Sequence, residues 1–328
     1  ALAVVAGFLL TAAQNWTGVE TLHGRSLAGL FLLWLIARIL WVQGTVWLPY
    51  AGIADISFIF ILTAAIAQPV LKVRQSRQAP VLLILSLLTA ASICFYIGAL
   101  SGDIQWLVSS LYAAMYLVLG LILFMGRRVI PFFAERGVGD PVELNNSRWN
   151  DLATWLLFPA FIVAEVFFRQ SLAGAFIAAA LFILNSIRIA GWYTPGIWQK
   201  PLLWSLYLSY LMITMGFGLH ALQLFTAISP LIPVHAFAVG GVGLVTISMM
   251  PRVSLGHTGR SIHEAPPMAV VFISLLALGA VIRVFLCWLD PSRYTLWITL
   301  SGLLWILAFS LFAVSIGPML WKQRVDAK

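Results

Sequence analysis

The sequence predicts an all-α fold, a polytopic bundle of transmembrane helices with about eleven visible spans. Three observations lead there. Of 328 residues, 62% are hydrophobic and 9% charged, and the mean hydropathy is +0.99. Soluble domains carry about 25% charged residues, so a water-soluble fold of this composition would lack the polar surface to cover its core. Apolar runs long enough to cross a bilayer recur from end to end, and the basic residues alternate between successive connections.

A span needs roughly 20 apolar residues. The first run, 1–13, is "ALAVVAGFLLTAA". It has no basic start and more spans follow, so it is not a signal peptide; it reads as a span cut into, with upstream sequence missing and about twelve spans in all. The next runs are 26–42, 46–70, 80–100 and 104–126, the last two separated by "SGD" at 101–103. Runs 151–168, 171–193 and 201–226 follow. Pro230 and Pro233 precede 233–251, "EAPP" at 264–267 precedes 266–289, and "DPSR" at 290–293 precedes 295–321. These breaks carry turn chemistry. No short repeat or low-complexity segment interrupts them, and residues 1–328 read as one integral membrane domain.

The lysines and arginines orient the stack. The odd connections and the tail hold Arg25, Lys72, Arg74, Arg77, Arg127, Arg128, Arg136, Arg148, Arg188, Lys200, Arg252, Arg260, Lys322, Arg324 and Lys328, which is fifteen of the 19. The even connections hold Arg169 and Arg293, while Arg38 and Arg283 fall inside spans. Because cytoplasmic loops carry the excess of positive charge, the odd connections and the carboxyl terminus are expected in the cytoplasm. The net charge of +8 is thereby a statement about loops, and nucleic acid is not an expected partner. Cys94 and Cys287, without a CxxC pair, exclude a disulfide framework and a thiolate zinc site. No HExxH, GxSxG or P-loop occurs, which leaves hydrolase and ATPase readings without support.

Charged groups at membrane depth are costly and face the bundle interior. Asp55 lies about 13 Å into its span at 1.5 Å per residue, and either Arg38 or Arg283 is positioned to neutralise it. Glu165 and Arg169 are spaced for a local pair on one helix face. These residues suit a structural ion pair or a transport or proton role. Of the five histidines, His23 and His263 belong to solvated cytoplasmic loops. His220 and His235 sit toward the outer side, and neutral imidazole is the commonest biological metal ligand. Ala236, Gly240, Gly241 and Gly243 clear space beside His235 for a close-packed helix or equally for a flat macrocycle. Met249 and Met250 read as packing, though thioethers suit Cu(I), and Cys94 with Cys287 leaves a thiol–imidazole copper site open. In the segment "MMPRVSLGHTGR" at 249–260 the apolar run stops at Pro251, and residues 252–260 read first as a positive-inside loop.

The stretches "GFLLTAAQNWTG" at 7–18, "LWLIAR" at 33–38, "GRRVIPFF" at 126–133, "PLLWSLYLSY" at 201–210 and "HAFAVGGVGLVTISMMPRVSLGHTGR" at 235–260 together resemble the NnrS family, in family order and over nearly the whole chain. The resemblance implies a multi-pass protein of the bacterial inner (cytoplasmic) membrane that binds haem b and copper. It also implies a role in the response to nitric oxide and nitrosative stress, with nitric oxide or a related small molecule as ligand beside the lipid bilayer. Carried over by position, Arg38, His235, His257 and Arg260 match the family pattern. Three features depart from it: Tyr207 stands where the family has histidine, Pro251 stands where it has alanine or threonine, and a "WHxHEM"-like segment would lie upstream of residue 1. The resemblance points to His235 as a metal or haem ligand, while His220 is a metal-ligand candidate from its outer-side position alone; Tyr207 could ligate ferric haem through its phenolate. Gly256 and Gly259 would let the backbone approach a partner, and with Arg252, Arg260 and His257 would suit a haem propionate or a phosphate.

Two rival classes stay open: a secondary transporter built on Asp55, and a membrane oxidoreductase turning over nitric oxide or quinol. His235 and His257 are expected at opposite ends of one helix, about 30 Å apart at 1.5 Å per residue, too far to share an ion whose ligands sit about 2 Å away. Arg38, Asp55, Glu165, His220 and Arg283 are expected to turn inward toward one another.

Overall fold

A computed structural model describes residues 2–139, 141–262 and 265–325; His263 lies outside them. Among the described residues all regular structure is helical, in eleven helices of which ten are long and apolar enough to cross a membrane. In chain order they are α1 (Leu2–Thr17), α2 (Gly24–Val42), α3 (Leu48–Lys72), α4 (Ala79–Ser101), α5 (Ile104–Gly137) and α6 (Arg148–Phe167). They continue with α7 (Leu172–Gly191), α8 (Pro201–Leu222), α9 (Leu231–His257), α10 (Pro267–Leu289) and α11 (Tyr294–Leu320). The eleven expected runs all become helices; α1, at 16 residues, is the one too short to count as a full span.

Two helices outrun their expected ends. α5 continues past 126 to Gly137 with Pro131 inside it, and α9 continues past 251 to His257 with Pro251 inside it. Proline removes one backbone donor, but a membrane helix absorbs the loss when neighbouring groups satisfy the freed carbonyl. The "MMPRVSLGH" stretch is therefore helical, and the expected loop begins only at Thr258.

The chain divides into two compact units, Ala1–Leu121 and Ile122–Lys328, with α5 contributing to both. In the first, α3 packs against α1, α2 and α4. Its buried face carries Phe58, Ile59, Leu62 and Ile66, the spacing of one helical stripe. In the second, α8 packs against α7 and α9, and α10 against α11. The α8–α9 contact is close because each helix supplies glycine where the other supplies a side chain. A Cβ on Gly240 would stand 2.7 Å from Cβ of Met212, one on Gly241 2.6 Å from Cγ1 of Ile213, and one on Gly216 2.6 Å from the Phe237 ring. Small residues that admit a neighbour drive association where the hydrophobic effect is absent. The space beside His235 at Gly240 and Gly241, open in sequence to a helix or a macrocycle, is filled by α8.

Two stretches widen to π geometry: Ala236–Gly243 directly after His235, and Ile282–Leu286 around Arg283. π turns are rare and occur often at functional sites.

Candidate functional site

The end of the second unit bearing the 168–171, 223–230 and 290–293 connections holds four of the expected residues. His235 closes the first turn of α9 and packs where that turn meets the π segment of α10. Its Nε2 is buried and has no hydrogen-bond partner. Arg283 is close enough for its charge to act on the His235 ring. One Arg283 Nη donates to the carbonyl of Ile298 at 3.5 Å, while its Nε is buried without a partner. Unmet polar atoms in a buried position each cost about 1–3 kcal/mol, and here two lie close together, one at the turn before a π segment and one inside another. Around them Leu219, Ile228, Ile232, Ala236, Val284 and Cys287 form a buried apolar cluster.

His220 is occupied differently. Its Nε2 stands 2.9 Å from Oε1 of Glu165, with both side chains at most 5% exposed. The approach lies off the hydrogen-bonding direction, and Oε1 keeps no formal hydrogen-bond donor. That oxygen also lies against the first turn of α7, 2.8 Å from where a Cβ on Gly174 would stand. The positive end of the α7 macrodipole supports a carboxylate there, and any residue larger than glycine would displace it. The Phe161 ring meets His220 edge-on at 5.0 Å. Glu165, expected to face Arg169, thus has His220 as a partner.

In the first unit Arg38 neutralises Asp55 through Oδ2, resolving the choice between Arg38 and Arg283. Tyr96 donates to the same oxygen at 2.6 Å, and Trp41 Nε1 donates to the Tyr96 hydroxyl at 2.7 Å. Gly52 makes room for the Tyr96 ring, which a Cβ would meet at 2.8 Å. Asp55 Oδ1 is buried and unpartnered. Asp55, Glu165 and His220 are buried, Arg283 is half-buried, and the Arg38 side chain is 41% exposed. They do not turn toward one another as one cluster, but fall into separate groups: Arg38 with Asp55, Glu165 with His220, and Arg283 beside His235.

The remaining expected residues lie elsewhere. Tyr207 is near the start of α8, thirteen positions before His220, or about 20 Å along the helix; its hydroxyl donates to the carbonyl of Ile189 at 3.2 Å. A phenol about 20 Å from His220 along one helix cannot share a metal with it. Arg252 is 8% exposed, inside α9. His257, the last helical residue, is exposed. Arg260 N donates to the carbonyl of Leu255 at 2.9 Å and Gly259 N to that of Gly256 at 3.3 Å, with Gly259 at φ +72°. This is a Schellman cap, and it needs glycine in the left-handed region. Gly259 thus ends a helix, which accounts for it without a ligand. Met250 packs on the α8–α10–α11 core, as expected, and His23 is exposed.

One polar assembly escaped the sequence reading. Asp151 on α6 bridges Arg127 and Arg188, the latter at 2.9 Å. Arg188 also donates to the Tyr210 hydroxyl at 2.9 Å and to Thr154 Oγ1 at 3.3 Å, and Tyr210 donates to Asn185 Oδ1 at 2.5 Å. Arg188, counted with a connection for its charge although it lies within the run 171–193, is buried inside α7. The available signal was the spacing of Asp151 with Thr154 and of Asn185 with Arg188, which puts each pair on one helix face.

Among the described residues no three histidines, cysteines or acids are grouped to hold a metal ion. That does not fit a multi-donor copper centre built from them. The buried Nε2 of His235, which has no hydrogen-bond partner, is a single imidazole donor that would be available to a metal-bearing cofactor.

A family model described as NnrS protein matches residues 1–324, nearly the whole chain. No curated protein and no solved structure matches it.

Proposed function

The chain belongs to the NnrS family, and from that premise we propose that it is a haem-binding membrane protein of the nitric oxide response, in which His235 would hold the haem. The buried, unpartnered Nε2 of His235 beside Arg283 supports this reading most directly. A bound haem iron would supply the coordination position at which nitric oxide is taken up. His235 would fix the iron, Arg283 would place a positive charge beside it, and the surrounding apolar cluster would exclude water. Copper, if used, would need donors beyond those grouped here. The site would face the outer side of a bacterial inner membrane, since the opposite ends of these helices carry the basic residues that favour the cytoplasm.

The test is an absorption spectrum and metal analysis of the full-length protein in detergent, before and after nitric oxide. A haem spectrum that shifts on addition is expected. A colourless, haem-free preparation from haem-replete cells would remove the reading. Catalytic consumption of nitric oxide or quinol by the loaded protein would make it an oxidoreductase. A second reading, secondary transport, draws on the buried Asp55 Oδ1; it requires substrate accumulation in vesicles that fails in Asp55→Asn.

A further inference from the structure

At the basic end of the second unit a cavity of about 380 Å³ opens between the last turns of α5, the start of α8 and the end of α9. Arg136, Lys200 and Arg252 line it together with Phe132, Phe133 and Ile262. Arg252 is unlike an ordinary positive-inside residue, which keeps its charge in water. It is 8% exposed, its guanidinium lies 3.9 Å over the Phe133 ring, and one Nη donates to the carbonyl of Leu202 at 3.2 Å. Its Nε is buried and has no partner. Arg136 lies over the Phe132 ring at 4.0 Å. Among the described residues none of the three cations is paired with a carboxylate.

Three like charges around one cavity repel one another, and a buried guanidinium with an unmet N–H is costly without an anion. A haem propionate is not that anion if haem sits on His235. Arg252 is seventeen positions from His235 on one continuous helix, about 25 Å at 1.5 Å per residue, beyond the reach of a macrocycle bound there. We propose that this cavity binds a phosphate group, with Arg252 and Arg136 as planar donors and Lys200 as a point charge. The aromatic and aliphatic walls, at the end of a membrane-spanning bundle, suit the headgroup of an anionic phospholipid; a soluble phosphate presents the same chemistry.

The experiment uses delipidated full-length protein in detergent. Binding is measured by native mass spectrometry and by the shift in Tm, with phosphatidylglycerol, phosphatidylcholine and inorganic phosphate as separate probes. One tightly held phosphatidylglycerol is expected, with phosphatidylcholine bound at least about tenfold more weakly. Arg252→Gln should weaken retention by about tenfold or more, the loss expected for a charge-assisted hydrogen bond. The more peripheral Lys200→Gln and Arg136→Gln should weaken it too, which keeps the test decisive if Arg252→Gln does not fold. Inorganic phosphate that displaces the lipid and shows the same variant sensitivity would establish a soluble phosphate as the source. His235→Ala should leave the binding unchanged, so the outcome is separate from that for haem. Equal binding of both lipids, or retention unaffected by Lys200→Gln and Arg136→Gln, would overturn the proposal.

Discussion

Single residues carry this molecule's polar chemistry in pairs and short chains, and their costs can be ranked. Asp151 is the hinge of the most connected group, because its removal leaves both Arg127 and Arg188 without their carboxylate. Breaking a buried ion pair from one side costs about 3–5 kcal/mol. Asp151 is itself 23% exposed, so Asp151→Asn should cost toward about 3 kcal/mol. Tyr210→Phe, which removes one hydroxyl from the same network, should cost about 1 kcal/mol. Thermal or denaturant unfolding in detergent would check the ratio, and equal effects would mean that the network does not converge on Asp151. The sequence displayed Arg38, Asp55 and Arg283 as intramembrane charges because each stands alone in an apolar run, but it did not show which arginine pairs with Asp55. It concealed Arg188 because a charge near a span end satisfies the positive-inside expectation equally well on a buried face. His220 was legible as an intramembrane imidazole, but its partner Glu165 was not, since that contact joins α6 to α8 across the chain.

At the scale of elements, α9 and the cap that follows it gather three glycine problems and solve each differently. Gly240 sits under Met212, where an added Cβ would meet the side-chain Cβ at 2.7 Å, and that atom cannot swing aside. Gly256 has its nearest neighbour at 4.0 Å, and Gly259 holds φ +72° in the cap. Gly240→Ala should therefore cost about 1–3 kcal/mol as overpacking. Gly256→Ala should be neutral or stabilising by up to about 1 kcal/mol, and Gly259→Ala should cost about 1–2 kcal/mol of left-handed strain. A Gly256→Ala variant as damaging as Gly240→Ala, judged by Tm in detergent, would point to a partner approaching the "GHTGR" backbone. Hydropathy located α5 and α9 but ended both early, because a proline next to basic residues reads as a stop. The chain continues through Pro131 and Pro251, and with it Arg252 moves from an expected loop to a buried cavity wall. The π segments had no sequence signal beyond the small residues after His235.

For the whole molecule, composition and the alternation of charge were sufficient to anticipate a multi-pass helical protein. They fixed no more than that, because lipid-facing and partner-facing apolar residues look alike in sequence. The proposed orientation is open to direct measurement. In a background with Cys94→Ser and Cys287→Ser, a cysteine introduced as Ser292→Cys should react in intact cells with a membrane-impermeant maleimide. One introduced as Lys322→Cys should react only after permeabilisation. The reverse pattern would invert the assignment and place the Arg252 cavity on the outer side.

The central claim is that His235 holds haem iron from a position where its Nε2 otherwise has no partner. It is tested most directly by comparing the absorption spectra of the full-length wild type, His235→Ala and His257→Ala, each purified from haem-replete cells. His235→Ala should lose or shift the haem bands. His257→Ala should keep them, because its ring stands about 30 Å away along α9 at 1.5 Å per residue. A His235→Ala protein with the wild-type spectrum and full haem content would contradict the account.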